Sequence, residues 1–369
     1  MGVLEKYGHG GDLQTAMETY GLKSGQILDF SANINPLGPP PSVMKMIQEE
    51  FASIVHYPDP DHRRLRRALS GRLGLEMKQL LIGNGAAECM ALAMLALVPE
   101  RVGVVYPSFS EYSQLAQQFG AREIRGVYAR EDHGLMPDIE DLYECIRWAD
   151  LVFIGHPNNP TGLVYRYEEL VKLAEAATDS GTYLVLDEAF LDFLPESAQD
   201  SLLGELDQYP TTILIRSMTK FYAIPGLRLG YAIANPELIT KMKGKQVSWS
   251  VNGLALLAGE RCLKERDYEE RTRKLIIEQR ERLSSSITRN LGWKVWPGQA
   301  NFLLVRLPSS YPTSTHLQEW MAKRGILIRD CSMYPGLSER DFRIAVFDEE
   351  RNQRLLEAFA EYTEAWGRG

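Results

Sequence analysis

Short apolar runs punctuate the first two thirds of the chain, separated by stretches whose apolar residues recur at helical spacing. The runs are Leu80–Ile82, Val102–Tyr106, Leu151–Gly155, Tyr183–Asp187, Ile213–Ile215 and Leu229–Ala234. Runs of this length without polar alternation predict strands buried on both faces. Helices are predicted over Ser110–Phe119, Asp138–Trp148 and Tyr167–Thr178, preceded by Ser42–Ile54 and by Asp61–Arg72 with Asp61 as its N-cap. The apolar stretch Met90–Val98 follows a glycine turn and reads as a buried helix. Strand and helix signals that alternate in this way predict an α/β fold with a mostly parallel sheet.

The pattern changes after about residue 245. Asp267–Asn290 is long, charged and helical, with one solvated face. Strands are then predicted at Trp293–Trp296, Phe302–Leu307, Ile326–Arg329 and Phe342–Val346, with helices at Ser314–Arg324 and Glu349–Ala365. The resulting division is an N-terminal arm over residues 1–40, a large domain over 41–250, and a smaller α+β domain over 251–369 that carries the long connecting helix. The arm is rich in Gly, Pro and Asn and is expected to run extended, closing part of the small domain.

Composition narrows the classes. The 369 residues carry 44% hydrophobic side chains and a net charge of −8. With no basic run, this argues against a nucleic-acid surface. No apolar stretch reaches the roughly 18 residues of a membrane span. Residues 1–11 lack the apolar core of a signal peptide. Cys89, Cys145, Cys262 and Cys331 form no CxxC pair, so neither a zinc site nor a redox dithiol is expected, and no metal site is assigned. Their spacing fits reduced structural thiols in a cytoplasmic protein.

In parallel sheets ligands sit beyond the carboxyl ends of the strands. Four predicted strands end there in polar or proline-rich segments: Tyr106–Phe109, His156–Gly162, Asp187–Phe190 and Ser217–Lys220. A lysine after a strand is ordinarily a solvated loop residue. Lys220, however, stands beside the hydroxyls of Ser217 and Thr219, with Arg228 eight residues on. A lysine there can form a Schiff base with an aldehyde, and hydroxyls with a guanidinium suit a phosphate. Gly83–Glu88 joins a strand to a helix through glycines, the form of an anion cup made from backbone N–H groups. Tyr57 lies in His56–Pro60, where two prolines hold the loop rigid.

Taken in order, Gly83–Glu88, Asn158–Gly162, Asp187–Phe190, Ser217–Lys220 with Arg228, and Phe342–Ile344 resemble the fold-type I pyridoxal 5′-phosphate (PLP) enzymes of the aspartate aminotransferase superfamily. The resemblance spans nearly the whole chain and is nearest to the histidinol-phosphate aminotransferase branch. Within that branch, His9–Gly11, Phe30–Pro40 and Tyr57–Pro60 are most similar to the decarboxylases of L-threonine O-3-phosphate, which supply the aminopropanol phosphate of cobalamin.

The resemblance implies a PLP cofactor, a homodimer and a small phospho-amino acid substrate. Lys220 resembles the Schiff-base lysine and catalytic acid–base. Asp187 resembles the partner of the pyridine N–H, Asn159 the donor to the ring's O3′, and Phe109 the aromatic that stacks on the ring. Gly85, Ala86, Ala87, Ser217, Thr219 and Arg228 resemble the phosphate cup, which Tyr57 reaches from the other subunit. Arg343 resembles the arginine for the substrate α-carboxylate, and His9, Asn33, His156 and Arg329 are candidates for the substrate phosphate. Two positions depart from the aminotransferase pattern. Both cup positions that often carry a hydroxyl are alanines here, and Phe190 stands where a tyrosine usually also bonds O3′. Decarboxylation of phosphothreonine is therefore the expected reaction, with transamination of histidinol phosphate or an aromatic amino acid as the alternative.

Overall fold

A computed structural model describes Leu4 and residues 10–367. Three sheets organise it. The chain enters through the strand β1 (Leu28–Asp29). It then builds a seven-stranded sheet from β2 (Leu80–Gly83), β3 (Arg101–Tyr106), β4 (Glu123–Tyr128), β5 (Leu151–Gly155), β6 (Tyr183–Asp187), β7 (Thr212–Ser217) and β8 (Gly230–Ala234). The spatial order is β2-β8-β7-β6-β5-β3-β4. Only β8 runs against its neighbours, pairing antiparallel with both β7 and β2. Strands β2 and β5 to β8 are buried along almost their whole length, as uninterrupted apolar runs require. The edge strand β4 escapes notice in the sequence because its burial alternates, as expected of a strand with one solvated face.

A second sheet contains β9 (Lys294–Val295), β10 (Phe302–Arg306), β12 (Arg329–Asp330) and β13 (Asp341–Ala345), all antiparallel in the order β12-β13-β10-β9. The remaining strand, β11 (Ile326–Leu327), pairs parallel with β1. The single strand expected over Ile326–Arg329 is thus divided between two sheets. Its hinge is Ile328, whose carbonyl accepts a hydrogen bond from the Gln318 side chain at 3.0 Å and so leaves both ladders. This division fastens the N-terminal segment to the C-terminal region through main-chain pairing.

The helix after Tyr57 also differs from expectation. It spans Arg63–Leu73, and Asp59 rather than Asp61 accepts from its first N–H groups, through Arg63 N at 2.8 Å. Pro60 turns the chain so that Asp59 reaches back over that end. The Asp61 carboxylate instead accepts from Arg66 at 2.9 Å and pairs with Lys243. The long helix runs over Arg266–Ser286, packs against the helix Glu349–Trp366, and buries Ile276 and Leu283. No helix among the described residues is long and apolar enough to cross a membrane.

Candidate active site

The carboxyl ends of β3, β5, β6 and β7 meet at one cavity of about 340 Å³. Asp187 closes β6, and Lys220 follows β7 after one tight turn. Burial pushes the Asp187 carboxyl up to about 6, against the pull of its hydrogen bonds. Tyr112 Oη donates to its Oδ2 at 2.7 Å and Ala189 N to its Oδ1 at 3.1 Å. Asp187 therefore sits ionised near neutral pH, fixed at both oxygens, in a place where a cationic N–H partner would be welcome.

Lys220 has the opposite problem. Burial, then the Arg343 and Arg228 charges, hold its ammonium down to about 8. A lysine so placed has an appreciable neutral fraction just above neutral pH, the form that attacks an aldehyde and takes up a proton.

The cup lies beside it. The helix Ala86–Leu97 starts at the cavity, with Gly85 at its N-cap and no side chain capping it. Ala86 and Ala87 line the cavity, so first-turn N–H groups are available at the positions where the resembled enzymes often carry a hydroxyl. Gly85 has φ +87°, and a Cβ there would lie 2.6 Å from an Arg228 guanidinium nitrogen. The missing side chain is what lets Arg228 close over the turn. Ser217 Oγ and Thr219 Oγ1 are 2.7 Å apart, and both side chains line the same wall. One guanidinium, two hydroxyls and a helix N-terminus fit the phosphate of PLP, and Lys220 and Asp187 fit its aldehyde and ring nitrogen.

Phe109 lines the cavity and meets Tyr112 edge-on, with ring centroids 5.8 Å apart. Phe190 lines it too and packs edge-on against Phe302 at 5.0 Å, so an apolar ring occupies that wall. Asn159 Oδ1 accepts from Arg343 Nη1, which leaves the Asn159 amide hydrogens to act as donors. Arg343 Nη2 donates to the Ser31 carbonyl at 2.6 Å. Asn33 lines the cavity; its Oδ1 is buried with no hydrogen-bond partner among the described residues, while its carbonyl accepts from Asn301 at 3.0 Å. Arg329 is 4% exposed, lines the cavity, and lies over the Tyr334 ring with 5.6 Å to the centroid.

Two predicted residues stand elsewhere in this chain. The ring of His156 turns away from the cavity: one nitrogen lies 2.9 Å from the Asp200 carbonyl and the other accepts from Tyr165 N at 3.2 Å. Burial lowers its pKa, as befits a neutral structural imidazole. Tyr57 is 81% exposed and does not line its own chain's cavity; its ring packs on Trp249 with centroids 4.8 Å apart. His9 lies outside the described residues.

Tyr112, Glu111, Ser31 and Tyr334 line the cavity without having been predicted. Tyr112 carries a legible signal, since it stands three residues after Phe109 at the start of a predicted helix and so shares its face. Ser31 falls within Phe30–Pro40 but is not set apart there, and Tyr334 carries no signal, because only the meeting of distant segments brings them here.

The family model for aminotransferase class I and II matches residues 25–359. Threonine-phosphate decarboxylase of Salmonella typhimurium is 37% identical over 95% of both chains. A histidinol-phosphate aminotransferase of Methanothermobacter thermautotrophicus is 29% identical over 97% of this chain and 95% of its own. Among solved structures, histidinol-phosphate aminotransferase from Clostridium acetobutylicum aligns with a TM-score of 0.85 at 33% identity, covering 92% of this chain and 100% of that one. L-threonine-O-3-phosphate decarboxylase from Porphyromonas gingivalis aligns with a TM-score of 0.80 at 26% identity, covering 91% and 99%. With that coverage and with its strand-end lysine, aspartate and phosphate cup in place, the chain belongs to the aminotransferase class I and II family.

Proposed function

We propose that the protein is a PLP-dependent carboxy-lyase that converts L-threonine O-3-phosphate to (R)-1-aminopropan-2-yl phosphate and CO2 for cobalamin biosynthesis. One observation supports the reading: a second group of polar side chains lines the cavity apart from the cofactor's cup. Arg228 belongs to the cup, against Gly85, whereas Arg329 and Asn33 approach from the C-terminal sheet and the N-terminal segment. The similarity to the Salmonella enzyme supports the same reading.

Bound PLP supplies an electron sink for the bond that breaks at the substrate Cα. Asp187 would hold the ring nitrogen in its protonated form. Asn159 would donate toward O3′, and Phe109 and Phe190 would give the ring apolar walls. Arg343 orients the substrate carboxylate, and Arg329 with Asn33 grips the phosphate. Anchored at that remote end, the substrate would be oriented by Arg343 at its carboxylate, so that binding energy would set the reactive geometry. Lys220 Nζ then returns a proton to Cα.

The working unit of this proposal is a homodimer. Phe51, Ile54, Val55 and Tyr57 are exposed by 59%, 58%, 77% and 81%, and Val247 and Trp249 join them through the Tyr57–Trp249 contact. Exposed apolar groups gathered in this way mark an interface, and a second copy would let Tyr57 reach a neighbouring cup. The deciding experiment supplies purified holoprotein with phosphothreonine and no keto acid. CO2 and the amine product should form in equal amounts. Product that forms only with a keto acid, or turnover of histidinol phosphate with 2-oxoglutarate at a higher kcat/KM, would replace this reading with an aminotransferase.

A further inference from the structure

Arg343 is held by two oxygens of the protein itself, Asn159 Oδ1 on one side and the Ser31 carbonyl on the other. The second of these is built with unusual care. Ser31 N and Ser31 Oγ both donate to Asp29 Oδ1, at 2.9 and 2.6 Å. Gly11 N donates to Ser31 Oγ at 2.9 Å. Gly10 passes so close that a Cβ there would lie 2.2 Å from the Ser31 carbonyl oxygen. Asp29 is itself fixed, because β1 pairs Leu28 and Asp29 with Ile326 and Leu327. Ser31 is 7% exposed and lines the cavity.

A carboxylate on a paired strand thus pins a serine, and that serine aims its carbonyl at the arginine facing the substrate. Burial raises the Asp29 carboxyl, while Ser31 and then Arg343 draw it back. Nothing in the chemistry of cofactor binding requires this carboxylate. A guanidinium with two directions already committed to the protein has less freedom to swing into a fully bidentate grip on a ligand. For breaking the Cα–carboxylate bond that matters, since a clamp optimal for the ground state raises the barrier.

We infer that Asp29 and Ser31 are positioning residues that fix the direction of Arg343 and thereby set which bond at the substrate Cα is broken. The inference rests on the decarboxylase reading. Loosening the tether lets Arg343 follow the carboxylate, so that it turns toward the ring plane and Cα–H takes its place. The result is a larger share of events in which the α-amino group passes to the cofactor and a keto acid leaves.

The test uses the holoprotein with phosphothreonine, scoring CO2, amine, keto acid and the bleaching of the cofactor's visible band. Wild-type protein should give CO2 and amine with little bleaching. Asp29→Asn and Ser31→Ala should each raise keto acid per CO2 at least about tenfold and shift KM more than kcat. Ser31→Ala leaves the carbonyl in place, so it remains informative if Asp29→Asn fails to fold. Ser31→Thr keeps the hydroxyl and should restore the wild-type ratio. Unchanged partition in a variant that folds and binds PLP overturns the inference. A wild-type protein that releases no CO2 overturns instead the decarboxylase reading on which it rests.

Discussion

The proposed cofactor side and substrate side of the cavity are built in different ways. The cofactor side grows from one sheet: Asp187, Lys220 and the cup all follow strands whose order the main chain enforces. Gly85, Ala86 and Ala87 bring a helix N-terminus to it. The substrate side is assembled from Ser31 and Asn33, from Arg329 on β12 and from Arg343 on β13, segments some 300 residues apart in the chain. Its Arg343 is held by a side chain and by main chain, the Asn159 amide oxygen and the Ser31 carbonyl. The first side is a property of the fold and suits a cofactor common to many reactions. The second is built from scattered segments, and under the proposed function it is there that substrate and bond would be chosen.

The largest effect should come from Lys220. Lys220→Ala is expected to lower kcat by at least about 10³-fold, the upper part of what a positioned acid–base contributes, and to abolish the visible band of the lysine-bound cofactor. Stopped assays for CO2 beside absorbance spectra measure both. An active alanine variant would break the distinction between a fixed cofactor side and a variable substrate side.

Arg329→Ala should sharpen that distinction. A lost charge-assisted hydrogen bond of about 1.5–3 kcal/mol predicts a fall of roughly 10–150-fold in kcat/KM for phosphothreonine. Threonine, lacking the phosphate, should be turned over with nearly the same kcat/KM by the variant and the wild type, and its kcat in the wild type should lie well below that of phosphothreonine. Equal losses for the two substrates would move Arg329 to the cofactor side.

Shared sites make a third case. An inactive Tyr57 variant mixed with inactive Lys220→Ala should regain activity in heterodimers, at most about a quarter of the wild-type rate if half the dimers are mixed and each carries one intact site. Mass spectrometry of the mixture checks subunit exchange. Exchange without recovery would mean that each cavity is complete within one chain.

The smallest effect is thermodynamic. Burial raises Asp187 to about 6 in the cofactor-free protein, so the folded state binds more protons than the unfolded chain between about pH 4 and 6. Its contribution to stability therefore falls as pH rises through that window, and above about 6 the full cost is present. Asp187→Asn should flatten that part of the curve and stabilise the cofactor-free protein at pH 7 by on the order of 2 kcal/mol. Urea titrations at several pH values give the slope. A variant with the wild-type pH dependence would place the raised carboxyl elsewhere.

What the sequence determined by itself follows from local rules. Buried parallel strands must be apolar throughout, so β5, β6 and the core of β7 could be read directly, and their ends marked the site. Asp187 and Lys220 were legible as polar groups at and just beyond the ends of apolar strands, and Arg228 by its spacing of eight residues from Lys220. The tertiary structure alone decided the rest. His156 has the residue type and the strand-end position of a ligand, but its ring is taken up by Asp200 and Tyr165, a choice made by side-chain rotation after packing. Arg343 receives its direction from Asn159 and from a serine 312 positions away. Contacts at such separations leave no periodicity in the sequence. They exist only once the segment carrying β1 has paired with β11 and brought Ser31 to the arginine.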